Sequence, residues 1–144
     1  MSIYSTVIDM KKGQYKIYCQ TVGWGEINHI IFEQERDDSK LLSNRVIFNV
    51  QHVYDLLYLL KHVSEQIGVI HRTYLVSNDS HKYILNVLVS SYTVVLYDDY
   101  DIVTVKKELF MDILKELQEK IEEYNRAETE RIFHNNVNKQ GDKE

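Results

Sequence analysis

Between Gln14 and Thr21 the chain alternates, with Tyr15, Ile17 and Cys19 on one face and Lys16, Tyr18 and Gln20 on the other. A period of two puts successive side chains on opposite sides of a strand, so this segment is predicted as a half-buried β-strand. Ile3 to Met10 is predicted as a short strand before it, broken by Lys11, Lys12 and Gly13. Val22-Gly23-Trp24-Gly25 reads as a hairpin turn, because glycine enters positive φ without steric penalty. Ile27 to Glu33 follows as a strand that is apolar on both faces. Gln34 to Ser43 is polar and charged and reads as a loop before a strand over Asn44 to Val50.

The period then changes. Val53, Leu56, Leu57, Leu60, Val63 and Ile67 recur at helical spacing, which predicts an amphipathic helix over 51–67 with Gly68 as its C-cap. Ile70 to Val76 and Lys82 to Val89 read as strands around a turn-rich segment, and Tyr92 to Asp98 as another. Asp98, Asp99, Tyr100 and Asp101 form an acidic turn, with Ile102 to Val105 as a short partner strand. Phe110, Ile113, Leu114, Leu117, Ile121 and Tyr124 make the stripe of a long helix over about 105–131. Residues 135–144 are expected to be a disordered tail. No internal repeat is visible and no linker divides the chain. One domain over 1–134 is expected, with 1–12 as an N-terminal extension.

The order strand-strand-strand-helix-strand-strand over 14–89 predicts a mainly β fold with helices, of the α+β class. It is the order of the OB-fold, a five-stranded barrel with a helix between strands three and four. An open antiparallel α+β sheet explains the same pattern. The 144 residues, 44% hydrophobic and 27% charged, suit one globular domain. No window holds the ~18 apolar residues that a membrane helix needs. The first residues lack a signal-peptide pattern, and the single cysteine cannot form an internal disulfide. A cytoplasmic protein with no membrane partner is expected. The net charge of −5 argues against charge-driven binding to duplex DNA. It argues less against stacking of unpaired bases on aromatic rings, and the chain has 11 tyrosines.

Catalytic signatures are mostly absent, and no enzyme activity or cofactor is expected. The six histidines lack HExxH spacing, and one cysteine makes no zinc knuckle. Cys19 and His29 form a nucleophilic pair only if a hairpin brings them together; a buried thiol on a strand is the better reading. Asp98, Asp99 and Asp101 suggest a cation loop, but the EF-hand pattern fails and a solvated turn fits better, so no metal site is expected.

The aromatic and basic residues are the more informative set. Lys16 and Tyr18 share the polar face of one strand, Trp24 tips a hairpin, and Arg45 faces outward on the strand after the loop. Arg72 and Tyr74 share a face of a later strand, and His81 and Lys82 lie at the next hairpin. In an OB-fold, Trp24 and His81 would rim a groove with Phe32 or Asn28 on its floor. The plain alternative is that the tyrosines pack and the cations keep the strands soluble. Trp24 stands between two glycines with little around it to bury it.

This order, the Trp24 hairpin and the tyrosine-rich strands resemble OB-fold single-stranded-DNA-binding proteins, such as those of a Gram-positive conjugative plasmid or phage. The resemblance covers roughly residues 14–89. It implies non-catalytic, largely sequence-independent binding of single-stranded DNA, less so RNA, in DNA transfer or replication. The chain departs from that family in lacking a glycine-rich tail with an acidic tip and in carrying few cations on its strands, so moderate, salt-sensitive affinity is implied. Ile3, Tyr4, Val7 and Ile8 lie on a strand spare to a five-stranded barrel, and are expected to dock on a neighbouring subunit. A small protein-binding module, such as an immunity protein, a phage inhibitor or a secretion chaperone, fits the acidic balance equally well.

Overall fold

The chain runs twice through the same succession, four antiparallel strands and then a helix. The computed structural model describes residues 4–22, 25–36, 39–62, 68–78 and 81–141. The first unit is β1 (Tyr4–Lys12), β2 (Tyr15–Val22), β3 (Ile27–Arg36), β4 (Ser39–Phe48) and α1 (Val50–His62). The second is β5 (Ile70–Asn78), β6 (His81–Val89), β7 (Thr93–Tyr97), β8 (Ile102–Lys106) and α2 (Lys107–Gly141). No sequence repeat accompanies this recurrence. What recurs is the binary pattern, period two in the strands and period 3.6 in the helices.

The α+β class is as expected, and the five-stranded barrel is not what forms. The strands make two separate antiparallel sheets, ordered β1-β2-β3-β4 and β5-β6-β7-β8. In the first, β1 pairs with β2 along its length, so residues 4–12 are an integral strand and not an extension. Ile8 is buried in this chain's own core and Val7 packs against it, while Tyr4 sets its ring edge-on to His29 at 4.7 Å. Ile3 lies outside the described residues. The expected loop over Gln34 to Ser43 is largely strand, because β3 and β4 continue as a hairpin to Arg36 and Ser39. α2 continues past Arg131 to Gly141, with no proline and no glycine to stop it sooner. Residues 63–67, expected to be helical, lie outside the described residues. Among those described, no helix is long and apolar enough to cross a membrane.

Both sheets and both helices share one core. Ile17, Phe32 and Phe48 come from the first sheet, Leu85, Val87 and Leu96 from the second. Leu56 and Leu60 of α1, and Phe110, Leu114 and Leu117 of α2, close it. Phe32 is fully buried, edge-on to Phe110 at 5.5 Å and against Tyr15 at 5.5 Å. Such contacts between rings of opposite edge and face polarity add to the burial of their area.

Polar links hold the two sheets in place. Tyr15 donates its hydroxyl to the Thr104 carbonyl at 2.6 Å, and the Thr104 N–H donates to Gln34 Oε1 at 3.0 Å. The Asn49 side chain spans the sheets at the start of α1. Its Nδ2 donates to the Asn28 carbonyl at 3.0 Å and to the Ser77 carbonyl at 2.8 Å, and its Oδ1 accepts from the Ser77 N–H at 2.9 Å. Removing this amide orphans polar groups of both sheets, and net hydrogen-bond values near 1 kcal/mol apply to each link. Asn49→Ala is therefore expected to lower unfolding free energy by about 2 kcal/mol, read as a lower urea midpoint at unchanged slope.

Candidate functional site

α1 buries Val53, Leu56, Leu57 and Leu60 on one stripe, which leaves Asp55, Tyr58 and His62 on another. That second stripe faces the side of β5 that carries Ile70, Arg72 and Tyr74, and a groove of about 470 Å³ runs between them. Tyr58 is 68% exposed and lies against the His62 ring at 4.3 Å. Arg72 is exposed, and its side chain makes no ion pair or hydrogen bond among the described residues. Tyr74 rests on His52 at 4.9 Å. Burial, then the nearby Asp55 carboxylate, raise the Tyr74 phenol above its ordinary value, against a smaller opposing pull from Arg72.

β5 is also a sheet edge, and the four edges are treated differently. β1 is blunted by a bulge between Thr6 and Ile8 and by Lys11 and Lys12, devices that discourage pairing. The edge of β4 is engaged where the Arg45 N–H reaches Asp101 Oδ2 at 3.4 Å, and that of β8 where Thr104 bonds Tyr15 and Gln34. At β5, among the described residues, only Ser77 is engaged, with both its main-chain groups on the Asn49 amide. Main-chain groups of alternate residues point the same way in an antiparallel strand. Those of His71, Thr73 and Leu75 thus point away from β6, as those of Ser77 do, and all three residues are exposed. On the outer side of this sheet, Leu75, Ile84 and Ile102 are each more than half exposed.

The residues expected from sequence divide between separate places. Lys16, Tyr18 and Arg45 do share the outer face of the first sheet, where Lys16 stands opposite Glu33 and Glu33 opposite Arg45. Lys16 Nζ lies 5.3 Å from the Tyr18 ring centre, and Tyr18 donates its hydroxyl to Glu33 Oε1 at 2.6 Å. Burial and that carboxylate push the Tyr18 phenol up to about 12. Asp9, Glu33 and Glu35 offset Lys11, Lys16 and Arg45 on this face, and Lys11 pairs with Glu35 at 3.3 Å. His81 and Lys82 meet Arg45 in a second groove, which Asp98, Asp99 and Asp101 also line. Phe32 leaves the expected site because it is buried at the centre of the core. The Asn28 carbonyl is bonded to Asn49, and Arg72 and Tyr74 belong to the α1–β5 groove. Trp24 lies outside the described residues. Cys19 faces the core, its thiol pushed up to about 12 by burial, while His29 Nε2 pairs with Gln20 Oε1 at 2.9 Å, so no nucleophilic pair forms.

Sequence reasoning missed the helical side of the groove. Tyr58 and His62 are four apart on the exposed stripe of α1, a spacing that makes neighbours on a helix surface. No family model matches this sequence, and no curated protein or solved structure does.

His52 ties the groove to the fold. Its Nδ1 accepts the Asn49 N–H at 3.0 Å, so the ring proton sits on Nε2. This is the reach-back half of a capping box, with a histidine in place of Glu or Gln. Burial lowers the His52 pKa below its ordinary 6.5. The unfolded chain therefore takes up a proton that the folded chain refuses, and stability falls as pH drops below 6.5 towards the folded-state value. His52→Gln keeps an acceptor for Asn49 and removes the titration. Thermal melts between pH 7 and 5 are expected to decline less steeply for this variant than for the parent; equal slopes would remove His52 as a cause.

Proposed function

We propose that this protein is a non-catalytic binding module that takes an extended segment of a partner protein as an added strand on β5. The observation that carries the reading is the β5 edge beside α1, where the outward main-chain groups of His71, Thr73 and Leu75 have no partner among the described residues. An added strand gains main-chain hydrogen bonds from His71, Thr73 and Leu75, and alternate side chains enter the α1–β5 groove. The Asn49 amide on Ser77 already occupies one rung in the manner of a neighbouring strand. The exposed apolar residues Leu75 and Ile84 offer contact to the side chains on the other face.

The test is titration of a fluorescein-labelled heptapeptide of alternating threonine and valine, with amide hydrogen exchange read in parallel. Binding is expected to slow exchange at His71, Thr73 and Leu75. Thr73→Pro removes one outward N–H at a site where an edge strand tolerates proline. It is expected to weaken binding more than tenfold while Tm moves by a few degrees at most. Absence of binding, or binding that leaves these amides unprotected, would overturn the reading. So would a concentration-dependent dimer abolished by Thr73→Pro, which would give the edge to a second copy.

A second reading rests on Lys16 over the Tyr18 ring with Arg45 in the same cross-strand row as Lys16: single-stranded nucleic acid on the outer face of the first sheet. The acidic residues interleaved there weigh against it. Polarisation with labelled oligo-dT separates the readings. Nucleic-acid binding requires a signal at low salt that fades as salt rises and that Arg45→Ala weakens several-fold. Trp24, the only tryptophan, gives a fluorescence report of the same titration.

A further inference from the structure

We infer that the segment accepted by β5 carries an acidic side chain where it passes Arg72, flanked two residues away on each side by apolar ones. The inference rests on reading the β5 edge as the docking site, and adds the chemistry of the partner. Side chains directly opposite on neighbouring strands lie within contact of each other, and residues two apart share a face. A strand laid along β5 therefore aligns alternate side chains with Ile70, Arg72 and Tyr74 on the groove side.

The three rows differ in character. Ile70 and Tyr74 stand in apolar and aromatic company, with Leu59 and Tyr58 across the groove. Arg72 lies between them as a cation without an ion-pair partner among the described residues. A guanidinium in such a setting is best matched by a carboxylate, which accepts two parallel hydrogen bonds from its fork. Asp55 lines the helical side of the groove, and both its carboxylate and the Arg72 guanidinium act on the Tyr74 phenol, in opposite directions. The sign of the guest is set where it passes Arg72.

The probe is a set of three labelled heptapeptides alternating threonine and valine, with the central groove-facing residue glutamate, glutamine or lysine. The parent protein is expected to bind the glutamate peptide roughly tenfold more tightly than the glutamine one, with lysine weakest, as one charge-assisted contact implies. Arg72→Glu is expected to invert the order, and Arg72→Gln to flatten it. Equal binding of all three by the parent and by Arg72→Glu would overturn this inference and leave strand addition standing. No binding of any of the three by the parent would overturn strand addition, and this inference with it. Circular dichroism melts of both Arg72 variants verify folding, since Arg72 is exposed and supports no core contact.

Discussion

One amide ties the two sheets together where the first helix begins. Asn49 stands at the junction between β4 and α1, and its side chain reaches back to β3 and across to β5. Its main-chain N–H is held by His52, so the residue that joins the sheets also starts the helix. A carboxylate here would keep the acceptor and lose both donors, and an aliphatic side chain would lose all three links. Only a primary amide with one acceptor and two donors fits these partners. Placing β5 in this way sets its distance from α1 and so the width of the groove. The geometry at Arg72 and Tyr74 is thus downstream of an interaction that lies outside the groove itself.

The elements were largely legible in the sequence, and their pairing was not. Period two marked β2 through Tyr15, Ile17 and Cys19, and period 3.6 marked α1 through Val53, Leu56 and Leu60. Those patterns report local geometry. The choice between a barrel and two sheets depends on contacts between residues far apart, such as Tyr15 with Thr104, which leave no trace in local spacing. Polar segments misled for another reason. Gln34 to Ser43 reads as a loop because its composition is polar and charged, and the pairing of Gln34 with Asn44 and Glu35 with Ser43 leaves no mark on that composition.

The site suffered from the same limit. Ile27 to Glu33 is apolar on both faces, so period two could say that Ile30 and Phe32 share a side but not which side is interior. Pairing decides it, since Phe32 stands opposite Ile17 of β2 and Val46 of β4, both buried. Arg72 and Tyr74 were visible as a pair on one strand face. Their association with Tyr58 and His62 required knowing that α1 lies beside β5. The N-x-x-H spacing of Asn49 and His52 was a weak local signal, resembling a capping box without the usual acid or amide at its third position.

The edge-on contact of Phe32 with Phe110 has a consequence for how the chain acquires its shape. The two rings belong to different halves of the polypeptide, and neither half can fill the interior by itself. As the protein is synthesised, the first four strands emerge before the phenylalanine that completes their packing has been made. Until then a hydrophobic floor stands open, and closure waits on contacts of long sequence separation, which are slow to form. The recurrence of strands and helix is therefore not a pair of autonomous modules. Both halves fill one interior.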